Sequence, residues 1–253
     1  MTAGQDDARI PPPPAAGPEP SAFQRIIGVL FSPDATLASI ARKPDWVLPL
    51  VILLVMSLAA GVVIAQHVDF GAAAREAMEQ NKNASPEQID RGVKMAAGIG
   101  KVATYLSPVL SAIGLLVIAG VLLLAFRLFG GEGDFKQAFS VTCYSSMPGV
   151  IKSIIMMIII LAKGGIIPAQ ELATLVRSNL GFLADYKANP MAFAVLSSID
   201  IFSIWFLVLM IIGFAYLARV SRVKSAVIII SLWIVVLCFK LIGPAMQSLR
   251  ASK

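Results

Sequence analysis

A chain of 253 residues that is 57% hydrophobic and only 14% charged departs from soluble domains, which are about 45–50% apolar and about 25% charged. With a mean hydropathy of +0.80, it falls in the membrane class. The net charge of +6 would suggest nucleic acid as the partner of a soluble protein, but here the Lys and Arg residues lie between and beside apolar runs, where they set topology. No basic block is dense enough for a nucleic-acid patch.

Residues 1–20 are polar and proline-rich, with no apolar core of a cleavable signal peptide. They read as a disordered cytoplasmic tail, with Pro11–Pro14 favouring an extended stretch. Residues 21–45 read as short interfacial helices. Ser21 is a plausible N-cap, and Phe23, Ile26, Ile27 and Leu30 recur at helical spacing with Gln24 and Arg25 between them. Ser32-Pro33-Asp34 carries a second helix start, with Leu37 and Ile40 on one face, and Arg42-Lys43-Pro44 stops it.

Residues 46–246 read as a five-helix membrane domain, followed by a short tail at 247–253. The first span is expected over Trp46–Ala65, near the ~20 residues a bilayer core requires, with Trp46 at the interface and Pro49 in the first turn. Val68–Thr104 is polar and amphipathic, and Ser85-Pro86-Glu87-Gln88 marks a capped helix start. The second span covers Tyr105–Phe126 and closes on Arg127. Gly130, Gly131 and Gly133 form a turn motif that lacks the Gly-Lys-Ser/Thr of a phosphate loop. The third span begins between Phe139 and Met147 and runs to Leu161, interrupted by a helix break at Pro148 and Gly149. After an amphipathic connection, the fourth span is expected over Ala192–Leu217, with Asp200 inside it. The fifth covers Ala226–Ile242, stopped by Gly243-Pro244.

Five spans put the termini on opposite sides. Arg25, Arg42, Lys43, Arg127, Lys136, Arg219, Arg222 and Lys224 all lie close to span ends on one side. That density places the N-terminus in the cytoplasm and the C-terminus across the membrane.

Charges at membrane depth are costly and are functional candidates. Lys152 and Asp200 are two such residues. At a rise of about 1.5 Å per residue they lie about 14 Å and about 12 Å from the same boundary, so they are at a depth where they can pair and lock spans three and four together. Two alternatives remain open: separate side chains snorkelling to water, or a proton- or substrate-coupled site. Lys240, near the end of span five, also snorkels or competes for Asp200. Cys143 and Cys238 show no metal spacing and read as small buried hydrophobes, and the single histidine, His67, sits at a helix end. No catalytic, cofactor-binding or metal-binding set is expected, and the chain does not read as an enzyme.

Three segments carry a family resemblance. They are Phe23-Gln24-Arg25-Ile26-Ile27 with Leu30-Phe31-Ser32-Pro33 and Ile40 through Trp46; Gly130 through Ser140; and Tyr144-Ser145-Ser146-Met147-Pro148. In this order and spacing the chain resembles the Yip1-domain membrane family, in its bacterial branch. The resemblance implies an all-α polytopic membrane helix bundle, a cytoplasmic N-terminus and no catalytic residues. Eukaryotic members bind small GTPases, but their Asp-Leu-Tyr-Gly-Pro signature is missing here, so that partner is not carried over. The expectation is a multi-pass protein of the bacterial inner membrane, acting as a scaffold or interaction protein in membrane organisation or trafficking. Its partners are the lipid bilayer and proteins at the cytoplasmic face, and a homo-oligomer is compatible with it. The alternative is a small-solute or ion transporter using the broken third helix with Lys152 and Asp200.

Overall fold

The computed structural model describes residues 20–79, 84–185 and 188–251. The proline-rich tail lies outside them except for Pro20, as do the last two residues. The helices are α1 (Ala22–Phe31), α2 (Pro33–Arg42), α3 (Val47–His67), α4 (Ala72–Glu79), α5 (Pro86–Tyr105), α6 (Ser107–Leu128), α7 (Phe135–Ser145), α8 (Met147–Lys163), α9 (Leu172–Leu175), α10 (Pro190–Ser198), α11 (Ile201–Ala218) and α12 (Arg222–Ala251). The only sheet among the described residues is a two-residue parallel pair, β1 (Val68–Asp69) with β2 (Ile167–Pro168), in register Val68 to Ile167.

Among the described residues, five segments are long and apolar enough to cross a bilayer: Val47–His67, Ser107–Leu128, Phe135–Lys163, Ile201–Ala218 and Arg222–Gly243. The fold is an all-α, multi-pass membrane protein. The third segment starts earlier than the apolar run suggests, because Asp134 caps it: its carboxylate accepts the Gln137 N–H at 2.8 Å and Gln137 Oε1 accepts the Asp134 N–H at 2.9 Å. The fifth helix does not stop at Gly243 but continues to Ala251.

Two of the helix breaks share one geometry. Leu106 (φ −80°, ψ −2°) separates α5 from α6, and Ser146 (φ −80°, ψ −3°) separates α7 from α8. Each stands two residues before a proline, Pro108 or Pro148. A proline ring has no N–H to donate and crowds the carbonyl four residues back, here that of Thr104 or Tyr144. The third span is therefore interrupted at Ser146, and Pro148 and Gly149 themselves lie within the first turn of α8.

The described residues form two compact units, one drawn from the stretches 20–51, 114–148 and 203–239 and the other from 52–113, 149–202 and 240–251. In the first, α1 opens with a capping box in which Ser21 Oγ accepts the Gln24 N–H and Gln24 Oε1 accepts the Ser21 N–H. Its polar-looking Arg25 is buried. The guanidinium donates to Lys43 O at 2.8 Å and Ser39 Oγ at 3.1 Å, satisfying the end of α2. Phe23, Ile27 and Phe31, spaced four apart, face outward instead. α2 is no surface helix: Thr36 to Ala41 are all buried, and Gln137 of α7 donates to Ala41 O at 2.7 Å. Close packing continues at Gly213 of α11, where an added Cβ would overlap Val141 and lie 3.3 Å from Leu37 Cδ2. Phe126 and Phe214 stack with centroids 5.0 Å apart.

In the second unit, Ser57 of α3 is 3.1 Å from both Ser107 and Ser111 of α6, a hydroxyl cluster between spanning helices. Gly61 brings the α3 backbone against Thr104 O, where a Cβ would lie 2.6 Å away. α5 starts with a capping box of Ser85 and Gln88 and carries exposed i,i+4 ion pairs, Glu87–Arg91 and Asp90–Lys94. His67 ends α3, its Nδ1 2.9 Å from Val63 O. Cys143 is buried in the first unit, whereas Cys238 is exposed rather than buried as its apolar neighbours suggest.

Candidate functional site

The fourth span does not run through Asp200. The helical run from Pro190 ends at Ser198, Ile199 (φ −90°, ψ 89°) is not helical, and α11 starts at Ile201. Asp200 therefore stands just before a helix start, where a carboxylate meets free N–H groups and the positive end of the helix dipole. Its Oδ1 accepts the Phe202 N–H at 2.9 Å. An acid that reads as an intramembrane charge in an apolar run is a helix cap that breaks that run. Ser197, Ser198 and Asp200, all residue types that compete with helix and favour caps, carried the signal.

The break is held from outside by a short antiparallel bridge between Asn179 and Asp200. Leu180 N donates to Ile199 O at 3.3 Å and Ile201 N to Ser178 O at 3.1 Å. Asn179 is buried. Its Nδ2 donates to Ala173 O at 2.6 Å and its Oδ1 accepts the Gly181 N–H at 2.9 Å. The connection after α8 thus pairs backbone groups that the interruption of the fourth span leaves unpaired.

Asp200 is 2% exposed and Lys152 is 35% exposed, with Lys152 Nζ 2.8 Å from Asp200 Oδ2. Ser178 Oγ donates to the same oxygen at 2.5 Å. Both carboxylate oxygens are occupied, one by a cation and a hydroxyl and the other by a backbone N–H. Lys240 Nζ donates to Ser198 Oγ at 3.3 Å, at the end of α10. Ser178 and Asn179 carry no sequence signal for this role, because their partners lie 22 and 21 positions away across a loop. Among the described residues, no three His, Cys, Asp or Glu side chains come together to hold a metal.

The glycine turn belongs to the first unit. Gly130 (φ 77°) and Gly131 close α6 in a Schellman arrangement, Gly131 N donating to Phe126 O at 2.8 Å and Gly130 N to Arg127 O at 3.0 Å. Gly133 (φ 107°) lies against Leu217, and Gly131 against Ala218. Glu132 N donates to Ala218 O at 3.0 Å, and the Glu132 side chain pairs with Arg219 at 3.0 Å. The turn docks against the end of α11. Arg219 itself takes a left-handed conformation (φ 52°), with Val220 N donating to Ala215 O at 3.1 Å.

The first unit has its own carboxylate with a cation and a hydroxyl. Asp34, in the first turn of α2, pairs with Arg222 at the start of α12 and accepts from Tyr216 Oη at 3.0 Å. Burial pushes the Asp34 carboxyl up, but hydrogen bonds from Arg222 and Tyr216 and the Arg222 charge outweigh it and hold it below its ordinary value.

Against known proteins, the model of the Yip1 domain matches residues 27–242. No curated protein and no solved structure matches the chain.

Proposed function

This chain belongs to the Yip1 domain family, and on that premise we propose that it is a non-enzymatic scaffold or interaction protein of the bacterial inner membrane, acting in membrane organisation or trafficking. The observation that carries this reading is the saturation of Asp200. A carboxylate that is 2% exposed, filled by Lys152, Ser178 and the Phe202 N–H, has the makings of a structural cap and clamp. A transport site exchanges its polar partners with solvent or substrate during the cycle. The Lys152–Asp200 pair ties α8 to the start of α11, and its role is to fix those two helices together.

In this reading the N-terminus is cytoplasmic and the C-terminus lies across the membrane. The exposed row of Phe23, Ile27 and Phe31 rests in the cytoplasmic leaflet. Arg42, Lys43, Arg219 and Lys224, all exposed, meet anionic headgroups or protein partners on that side. Reporter fusions before α1 and after α12 test the orientation, which requires them to signal opposite sides.

The transporter alternative is tested directly in proteoliposomes. Vesicles holding wild-type protein, with pH- and cation-sensitive dyes inside, leak no faster than protein-free vesicles, and neither do vesicles holding Asp200→Asn. A flux carried by the wild type and abolished by Asp200→Asn overturns the scaffold reading.

A further inference from the structure

A second polar feature of the unit that holds Asp200 lies where the third spanning segment ends. Lys163, the last residue of that segment, lines a cavity of about 600 Å³ together with Ile159, Glu171, Arg177, Phe182 and Phe193. Asp185 also borders it. Lys163 Nζ is 3.0 Å from Glu171 Oε2, and both side chains are half exposed. Arg177 is exposed and has no ion-pair partner among the described residues. Asp185 Oδ1 accepts the Ala188 N–H at 3.0 Å.

Among the described residues, the cavity thus presents the Arg177 guanidinium and the Lys163–Glu171 ion pair beside the Phe182 ring. An arginine fork with no ion-pair partner among the described residues matches two phosphate oxygens. A guanidinium and a carboxylate in one cavity favour a zwitterion over a polyanion, whose further negative charge the Glu171 carboxylate would repel. The surroundings favour a membrane-bound ligand over a soluble one. Ile166, Phe182 and Leu183 in the same connection are 68%, 56% and 65% exposed, and apolar exposure at a span end marks headgroup depth.

We propose that this cavity binds the phosphoethanolamine headgroup of a membrane phospholipid. Arg177 takes the phosphate, the Glu171 carboxylate faces the ammonium, and Phe182 packs on the glycerol and the first acyl carbons. The site is separate from the Asp200 clamp and stands whether or not the scaffold reading does.

The test is native mass spectrometry of the full chain released from bilayer discs made of equal parts phosphatidylethanolamine and phosphatidylglycerol. Wild type retains phosphatidylethanolamine in preference to phosphatidylglycerol. Arg177→Gln lowers that retention roughly tenfold, the loss expected for one charge-assisted contact, with the thermal midpoint unchanged. Phe182→Ala also lowers it without touching a charge, and gives a second reading should Arg177→Gln fail to fold. Equal retention of the two lipids overturns the zwitterion assignment, and retention unaffected by both variants overturns the site. Free phosphoethanolamine supplies the headgroup without the tail. If it binds as tightly as the lipid, the ligand is a soluble one and the lipid assignment fails.

Discussion

Asp34 and Asp200 are built alike and placed differently. Each stands at the start of a helix, and each is held by one basic side chain and one hydroxyl: Arg222 and Tyr216 for Asp34, Lys152 and Ser178 for Asp200. The Asp34 pair is about half exposed on both sides, whereas Asp200 is 2% exposed. In water the attraction of such a pair is nearly cancelled by solvation and side-chain entropy. Buried, the same pair is strongly interdependent, because removing one partner strands the other's charge. The same chemical unit is therefore expected to be an accessory in one place and a structural requirement in the other.

The largest expected effect follows from that asymmetry. Lys152→Met leaves the carboxylate of Asp200 without its cation and lowers stability in detergent by about 3 kcal/mol. Asp200→Asn costs less, because its amide oxygen still accepts the Phe202 N–H and the freed Lys152, already 35% exposed, reaches solvent. The double variant Lys152→Met/Asp200→Asn recovers most of the loss, since no buried charge remains. Thermal unfolding followed by size-exclusion chromatography ranks the three. If Lys152→Met proves no worse than Asp200→Asn, the clamp is not electrostatic. A charge swap is the wrong rescue here: lysine at position 200 has no oxygen to cap α11, so the swapped pair stays destabilised even with its charges matched.

The unit containing Asp34 is held more by close packing, and its glycines should outrank its ion pair. Gly213→Ala forces a methyl group into Val141 and Leu37, with a cost of about 1–3 kcal/mol for overpacking. Gly133→Ala adds contact with Leu217 Cδ2 at 2.8 Å to an unfavourable φ of 107°. Gly130→Ala meets no atom within 4 Å, so it pays only the left-handed penalty of about 1–2 kcal/mol. The order Gly133→Ala above Gly130→Ala, read from unfolding midpoints, separates packing from backbone conformation. Equal losses would mean that the contact with Leu217 contributes nothing.

What was legible in the sequence follows the same division between local and distant causes. The apolar runs and the capping box of Ser85 and Gln88 are local, and the helices lie near where those patterns place them. The break near Pro148 is equally local, displaced only to Ser146 because a proline disturbs the residues before it. Arg25 reads as a polar-face residue because its partners, Ser39 and Lys43, lie 14 and 18 positions away. Asp200 reads as an intramembrane charge because hydrophobicity averages over the break at Ile199. The bridge to Asn179 that stabilises the break is a tertiary contact with no periodicity. Depth arithmetic brings Lys152 and Asp200 to one level, but it does not reveal that one of them is a cap.

The smallest expected effect belongs to Asp34, and it is the one with a pH signature. Because the folded protein holds this carboxyl below its ordinary value, the ionised form is favoured by folding. Its contribution is complete above the unfolded value, about pH 4, and disappears as pH falls through the lower folded value. Asp34→Asn should therefore shift the unfolding midpoint only slightly at neutral pH, by the equivalent of about 0–1 kcal/mol. The difference from wild type should vanish on acidification and also shrink at about 1 M salt, where the screening length is about 3 Å. Lys152→Met, acting on a carboxylate shielded from solvent, should keep most of its effect at that salt concentration. Equal salt sensitivity in the two variants would remove burial as the reason that these similar clusters differ.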